Sequence, residues 1–179
     1  VTTLVINAPG VPVYLNGTGT FGTVKAISGQ VEIGTGAVVT NLIVSGASVL
    51  VYDNATAITA VTMSSGKLVS RRAVTTWTQD GSSQGVLMDD EAATTVNVGG
   101  DSIFNHQSTG TIGTLNMYGR GVYTPGGALQ DTVVTTINKY GIGRLIGQAK
   151  QIRLTYTTFN DFAEGGMVTD SSIGLDGNI

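Results

Sequence analysis

The sequence predicts an all-β fold, a right-handed parallel β-helix of about nine coils with roughly 19 residues each. Three observations carry this prediction: a phrase that recurs along the chain, two short strand patterns in each recurrence, and a glycine between them. The phrase is a pattern of eight positions: an apolar residue, any residue, threonine or a small residue, an apolar residue, any residue, an apolar residue, any residue, and glycine. Self-similarity at such a short period is typical of solenoids. The phrase starts at Val1, Phe21, Val39, Ile58, Val74, Ala93, Ile112, Val134 and Ile152.

The first strand pattern in each unit alternates, so that its fourth and sixth positions lie on one face of a strand. Leu42 and Val44 are one such pair, and Val96 and Val98 are another. A second apolar pattern follows about ten residues later, as at residues 49–52 and 86–88. The glycine between the two suits a tight turn, because glycine tolerates positive φ. The turn glycines are Gly29, Gly46, Gly66, Gly81, Gly100, Gly119 and Gly141.

The length of the unit selects the parallel β-helix among repeat architectures. A βαβ crossover needs about 30 or more residues, and no leucine-rich ladder is present. Coils stacked at about 4.8 Å form a rod of roughly 40 Å with one narrow core. We expect a right-handed coil, because parallel crossovers almost always have that hand. Residues 1–159 are predicted to form this domain, and residues 160–179, acidic and rich in glycine, an irregular arm.

Composition narrows the classes of function. Of 179 residues 26 are glycine, 12% are charged, and the formal net charge is −3. The nine lysines and arginines are scattered and form no basic face, which disfavours nucleic-acid binding. The apolar runs are too short to span a membrane, and the lack of cysteine excludes disulfides and thiolate sites. Because the chain begins at Val1, we expect either removal of an initiator methionine or cleavage of a leader.

Motifs that resemble catalytic or binding sites have simpler interpretations. Residues 17–22 match the spacing of a dinucleotide-binding glycine loop, but a strand pattern follows where a helix is needed. Residues 100–103 resemble the serine block of an esterase class, yet the only histidine, His106, has no aspartate arranged to activate it, so a solvent-facing turn is expected. The cluster at Asp89, Asp90 and Glu91 is interpreted as a solvated loop. We therefore predict no enzyme activity, no cofactor and no metal site.

Outward positions of the first strand suggest a contact surface. Asn97, Asn116 and Asn138 share the fifth position of consecutive units, so their side chains are expected to stack as a ladder. Val5 and Ile43 stand at the same position, where either a neighbouring subunit covers them or they are isolated exposed residues.

Two further features concern the ends of strands and the end of the rod. Gln79 and Lys139 occupy inward sixth positions, where we expect the strand to end early or open. Phe159 and Phe162, in a last unit that breaks the phrase, are expected to cover the open end of the core or to contact a partner. Attachment to a partner is predicted through the arm at 160–179 or through residues 1–16.

The stretch from Ala93 to Ile146 contains TTVNVGG, TIGTLNMYG and VTTINKYG. It resembles the repeats of small β-helical structural proteins of tailed bacteriophages, in which phrases such as TGTITTLNV and TVTTLNLY alternate with a glycine turn. The resemblance covers about a third of the chain closely and the remainder by period alone. It brings no catalytic motif.

The resemblance implies a virion component, a capsid decoration or cement protein that is commonly a homotrimer. Its partners would be two copies of itself and the major capsid protein. Its location would be the outer surface of the capsid, after assembly in the host cytoplasm. The alternative is a tail-fibre or spike module that binds host surface glycans through threonine, asparagine and tyrosine. An enzyme on the same scaffold ranks third, because no carboxylate pair stands in the outward row.

Overall fold

The computed structural model describes residues 2–126, 131–146, 152–163, 168–169 and 173–177. In that part of the chain every element of regular secondary structure is a β-strand, so the fold is all-β as predicted. No described helix is long and apolar enough to cross a membrane. The strands are β1 (Thr3–Leu15), β2 (Thr20–Ile33), β3 (Val38–Val51), β4 (Ile58–Ser70), β5 (Val74–Gln79), β6 (Gln84–Asp89), β7 (Ala93–Val98), β8 (Ile103–Ser108), β9 (Thr111–Met117), β10 (Val122–Pro125), β11 (Thr132–Lys139), β12 (Arg144–Leu145), β13 (Ile152–Asp161), β14 (Val168–Thr169) and β15 (Ile173–Gly177).

The strands stack in parallel into a β-solenoid. Eight successive parallel pairings join β1, β2, β3, β4, β5, β7, β9, β11 and β13, which gives about eight turns. We call this row of strands the first sheet. The last residues of β4 pair with β6, and parallel pairing then continues through β8, β10, β12 and β14. These strands form the second sheet. The predicted parallel β-helix with a spacing of about 19 residues is confirmed; its right-handed sense stays a prediction.

The corners between the two sheets are formed by the predicted glycines. In β2, β3 and β4 the chain bends within one long strand at Gly29, Gly46 and Gly66, all with positive φ. At Gly66 φ is +87°, and an added Cβ would overlap the carbonyl oxygen of Ala47 one coil earlier. A side chain is excluded there both by conformation and by the close approach of the neighbouring coil. From β5 onward the corner becomes a turn that separates two short strands.

The predicted phase of the repeat holds until the last unit. Val74 pairs with Ala93 and Ala93 with Ile112, as the phrase requires. Val134, however, pairs with Tyr156 and not with Ile152, so the predicted start of the ninth unit is wrong by four residues. The observed register buries Tyr156, which a start at Ile152 would turn outward.

The core is a single column of inward side chains from successive coils. In β1 to β4 it consists of aliphatic residues, Met63 and, at the end of β4, the buried Ser70. From β5 onward it also holds aromatic and polar groups. Trp77 meets Phe104 edge to face at 5.1 Å, and Phe104 stacks with Tyr123 at 6.2 Å. Gly85 leaves room for this cluster, since a Cβ there would lie 2.7 Å from Trp77 Cζ2.

The strands of Gln79 and Lys139 neither end early nor open, which corrects the expectation from the sequence: β5 and β11 end at the same repeat position as β7 and β9. Each of the two residues is the last of its strand and is almost fully buried. Gln79 Oε1 accepts a hydrogen bond of 3.1 Å from Trp77 Nε1. Lys139 Nζ lies 3.4 Å from Asp161 Oδ1 on the next coil. Gln79 Oε1 and Lys139 Nζ thus have partners at their inward positions, whereas Gln79 Nε2 is buried without a hydrogen-bond partner.

The predicted boundary at residue 159 stays a prediction. β13 continues to Asp161, and β14 and β15 fall within the predicted arm. β14 pairs in parallel with β12, and β15 with β13. The two sheets therefore extend into residues 160–179. The rest of the predicted arm, 164–167, 170–172 and 178–179, lies outside the described residues, as does the first predicted start at Val1.

Candidate functional site

The predicted asparagine ladder exists and is longer than expected. Asn116 Nδ2 donates to Asn97 Oδ1 at 2.8 Å, and Asn138 Nδ2 donates to Asn116 Oδ1 at 2.8 Å. Asn160 Nδ2 adds a further bond of 2.8 Å to Asn138 Oδ1. At the other end Asn97 Nδ2 donates to the hydroxyl of Thr78 at 3.0 Å. Five coils are thus linked by one directed row of side-chain hydrogen bonds on the outside of the first sheet.

A second ladder, made of aromatic rings, runs beside the asparagines. Its members are Tyr118, Tyr140 and Phe162, which stand two residues after Asn116, Asn138 and Asn160. Tyr118 and Tyr140 stack with centroids 4.9 Å apart and planes at 7°. Tyr140 and Phe162 stack at 4.8 Å and 7°. The three rings are 43%, 44% and 63% exposed, so their outer edges form an apolar strip on the surface.

A column of threonines completes this face of the first sheet. It stands two residues before the asparagines, where side chains also point outward. Its members pair in parallel from coil to coil and are Thr76, Thr95, Thr114, Thr136 and Thr158. The surface therefore presents parallel columns of hydroxyls, amides and, over its last three coils, aromatic edges. We call it the ladder face.

The other predicted contact residues lie apart from this arrangement. Val5 points outward and is 55% exposed, whereas Ile43 is half-buried. On the same coil as Val5, after the corner at Gly10, the side chains of Val11 and Tyr14 are also exposed. Phe159 stands at an inward position and packs against the core beside Tyr156, so it is not part of the ladder face. Whether any of these residues contacts a partner stays a prediction.

The structure gives different environments to the motifs that resembled catalytic sites. Ser102 and His106 are both fully buried, so the expected solvent-facing turn is wrong for these two side chains. Ser102 Oγ donates to the carbonyl oxygen of Gly99 at 2.6 Å. Of residues 17–22, the first three lie between β1 and β2, and β2 begins at Thr20. A strand therefore follows this glycine-rich segment where a dinucleotide site would need a helix.

The acidic cluster is tied to neighbouring arginines. Asp89 accepts hydrogen bonds from Arg71, with Nε to Oδ2 at 2.8 Å, and Glu91 lies 3.0 Å from Arg72 Nη1. These ion pairs link the corners of two adjacent coils. In the described residues no group of three or more metal-ligating side chains is arranged to hold a metal ion.

His106 has a strongly altered titration. Its Nε2 donates to the carbonyl oxygen of Gly110 at 3.0 Å, so Nδ1 accepts from the Tyr123 hydroxyl at 2.7 Å. Burial lowers the pKa of His106 to about 4, although the bond to Gly110 acts in the opposite direction. Burial also raises the pKa of Tyr123. Both groups are neutral near pH 7 and serve as hydrogen-bonding members of the core.

A shallow groove of about 380 Å³ lies on the surface near the starts of β5, β7 and β9. Its lining holds no ionisable side chain. It consists of small and apolar residues with threonine hydroxyls, namely Ala57, Ala73, Val74, Thr75, Ala92, Ala93, Thr94, Thr111 and Gly113.

The repeat pattern predicted neither the row of aromatic rings nor the last asparagine. Tyr118 and Tyr140 stand directly before the turn glycines Gly119 and Gly141, at a repeat position where the pattern allows any residue. With the ninth unit started at Ile152, Asn160 and Phe162 fell outside the columns that they extend. The recurring order asparagine, any, aromatic at 116–118, 138–140 and 160–162 is the signal that identifies both ladders.

Comparison with known proteins identifies no relative of this chain. No family model, curated protein or solved structure matches the chain. What the fold and the surface define is a class of architecture, a parallel β-solenoid with a regular, ladder-bearing outer face.

Proposed function

We propose that this chain is a non-enzymatic structural protein of a bacteriophage particle. In this proposal it binds the outer surface of the capsid as a homotrimer, contacts the major capsid protein and stabilises the shell. The observation that carries the proposal is the ladder face, a rigid and regular surface with exposed apolar edges. Resemblance of residues 93–146 to phage β-helical repeats supports the assignment to a virion.

The construction of the rod supports a mechanical role. Each coil of the first sheet from β5 to β13 is tied to the next by backbone pairing and by an outward side-chain hydrogen bond. Such a surface changes little when a partner binds, so little conformational entropy is lost on contact. A protein that binds only the assembled shell shifts the equilibrium toward that shell by mass action.

The N-terminal coil supports attachment at one end of the rod. Val5, Val11 and Tyr14 are each more than half exposed and lie within 10 residues of sequence. Exposed apolar groups concentrated in one region favour protein contact. We propose this coil as the contact with the capsid protein, in keeping with the predicted attachment through residues 1–16.

Glycan binding by a fibre or spike module is the second candidate. The amides and hydroxyls of the ladder face favour it, because they offer donors and acceptors at a regular spacing along the rod. The rings argue against it. Sugars stack on the faces of aromatic rings, and the faces between Tyr118, Tyr140 and Phe162 are occupied by one another. The outward edges suit packing against protein better.

The test is the copy number of this chain relative to the major capsid protein in purified particles, measured by quantitative mass spectrometry. A decoration protein is expected at a copy number similar to that of the major capsid protein. A handful of copies per particle would indicate a component of the fibre or spike instead. Absence from particles would contradict a virion role of either kind.

A further inference from the structure

We propose that Asp80 and Gly81 form a site of spontaneous isoaspartate formation in the folded protein. In this modification the side-chain carbonyl of an aspartate replaces the main-chain carbonyl in the peptide bond to the next residue. The site lies in the turn between β5 and β6, at the corner that joins the two sheets. The reaction needs no enzyme and no partner, so the inference is independent of the proposed function.

The turn brings the two reacting groups together. Gly81 N donates a hydrogen bond of 2.8 Å to Asp80 Oδ1, so the nucleophilic nitrogen lies beside the carboxyl group that it attacks. Among the described residues the Gly81 nitrogen donates to no main-chain carbonyl. Both residues are exposed, so water reaches them, and the glycine has no side chain that hinders ring closure.

Ring closure and hydrolysis balance without a further reagent. The Gly81 nitrogen loses its proton and bonds to Cγ of the protonated Asp80 carboxyl group, from which one oxygen leaves as water. The product is a five-membered cyclic imide. Water then adds to one of the two imide carbonyl carbons and breaks the bond from that carbon to nitrogen. Hydrolysis at Cγ restores aspartate, whereas hydrolysis at the main-chain carbonyl carbon leaves isoaspartate.

A second pair in the same chain has the opposite arrangement at its glycine nitrogen. Asn16 and Gly17 are also exposed, in the turn after β1, and an asparagine before glycine closes the same ring with loss of ammonia. Both glycines have positive φ, +89° at Gly17 and +60° at Gly81. Gly17 N, however, donates to the carbonyl oxygen of Thr35 on the next coil at 2.7 Å. Attack on Asn16 must therefore break a bond between coils, whereas attack on Asp80 breaks none.

The modification changes the corner in which it occurs. Asp80 N donates to the carbonyl oxygen of Met63 at 2.9 Å, and the carbonyl oxygen of Gly81 accepts from Asp101 N at 2.9 Å. These two bonds tie the turn to the coils before and after it. Isoaspartate adds one atom to the main chain between the two bonded groups. We therefore expect the modified protein to be less stable than the unmodified one.

The first experiment uses Asp80→Asn, which makes the two pairs chemically identical. Both pairs are then asparagine followed by glycine in an exposed turn, and they differ in the partner of the glycine nitrogen. Deamidation changes the mass, so peptide mapping by mass spectrometry gives both rates from one sample. We expect position 80 to react about tenfold or more faster than Asn16, because a hydrogen bond between coils must open only at Asn16.

The same variant supplies its own controls. Near-ultraviolet circular dichroism of the buried Trp77 verifies that Asp80→Asn is folded. In urea the contacts of both turns are lost, and the two rates should become similar. Equal rates in the folded protein, or a faster reaction at Asn16, would overturn the proposal. A difference of the same size in urea would also overturn it, because the local sequence would then be the cause.

The wild type tests the reaction of aspartate itself. Isoaspartate is measured by enzymatic carboxyl methylation of peptides, and the peptide map separates Asp80 from the other aspartate–glycine pair at 176–177. We expect isoaspartate to form at Asp80 at least as fast in the folded protein as in urea. A slower reaction in the folded protein would contradict the geometry of the turn.

Asp80→Glu is the matched control for the effect on stability. It keeps the carboxylate, but ring closure would need a six-membered imide, which forms much more slowly. After equal incubation the urea midpoint of the wild type should fall in proportion to its isoaspartate content, and that of Asp80→Glu should not change. An unchanged midpoint in wild type that contains isoaspartate would overturn the expected effect on the corner.

Discussion

The first four coils, β1 to β4, differ from the coils after Val74 both inside and outside the rod. Inside, the early coils stack aliphatic side chains, whereas the later ones enclose Trp77, Gln79, His106 and Lys139. Outside, the early coils carry no amide ladder, whereas every later coil of the first sheet takes part in one. The early strands run unbroken for 13 or 14 residues, and most of the later ones are shorter.

The two regions fix the register between stacked coils in two different ways. Aliphatic residues gain free energy from burial and accept many neighbours, so the glycine corners and the alternation must fix the register. A buried amide or imidazole needs a particular partner, and an unsatisfied one costs about 1–3 kcal/mol. Register steps range from 18 to 21 residues between β1 and β4, and from 16, between β4 and β5, to 22 in the later coils. We infer that the polar pairs and the ladder hold the register where coil length varies most.

The sharpest test of the two regions is a pair of truncations in the core. Trp77→Ala is expected to lower the free energy of unfolding by about 3–5 kcal/mol, because it leaves a large cavity and removes the partner of Gln79. Val61→Ala, on the paired position of β4, is expected to cost about 2 kcal/mol. Urea denaturation measures both. A loss at Trp77 no larger than the loss at Val61 would contradict the larger contribution expected of the later core.

How far the sequence determines the architecture differs between the two regions. The period, the alternation and the corner glycines predicted the parallel stack, because each reflects a backbone requirement that every coil repeats. The asparagine ladder was also predictable, since Asn97, Asn116 and Asn138 share one position. These features depend only on the spacing of residues along the chain.

The polar core was not predictable, because its partners belong to different coils or depend on burial. His106 and Tyr123 are 17 residues apart and meet only after the coils stack. The inward position of Lys139 is explained only by Asp161, which lies on a later coil and provides the opposite charge. The register of β13 depended on the burial of Tyr156, which no local pattern indicates.

The polar core also makes the later coils sensitive to pH. The pKa of His106 is about 4 in the folded protein and 6.5 in the unfolded chain, so the unfolded state binds more protons between these values. The contribution of His106 to stability is complete above pH 6.5 and is lost as pH falls through 4. The total loss is about 3 kcal/mol.

Urea midpoints measured from pH 7.5 to 3.5 for the wild type and for His106→Gln isolate this contribution. The glutamine does not titrate, and its amide can still donate toward the Gly110 carbonyl. The stability difference between the two proteins should therefore shrink, or reverse in favour of the variant, as pH falls from 6.5 to 4. A difference that stays constant over this range would mean that His106 becomes protonated without cost.

The smallest expected effect concerns the outer ladder. Asn116→Ala interrupts the row in its middle and leaves Asn97 and Asn138 each without one bond. Because these side chains are half-buried and water reaches the freed groups, the loss should be about 1 kcal/mol. Thr62→Ala, at the same position of β4 where no ladder exists, should change stability by less than about 0.5 kcal/mol. Thermal unfolding of both variants compares them directly. If the two changes cost the same, the amides do not hold the register, and the distinction between early and later coils applies to the core alone.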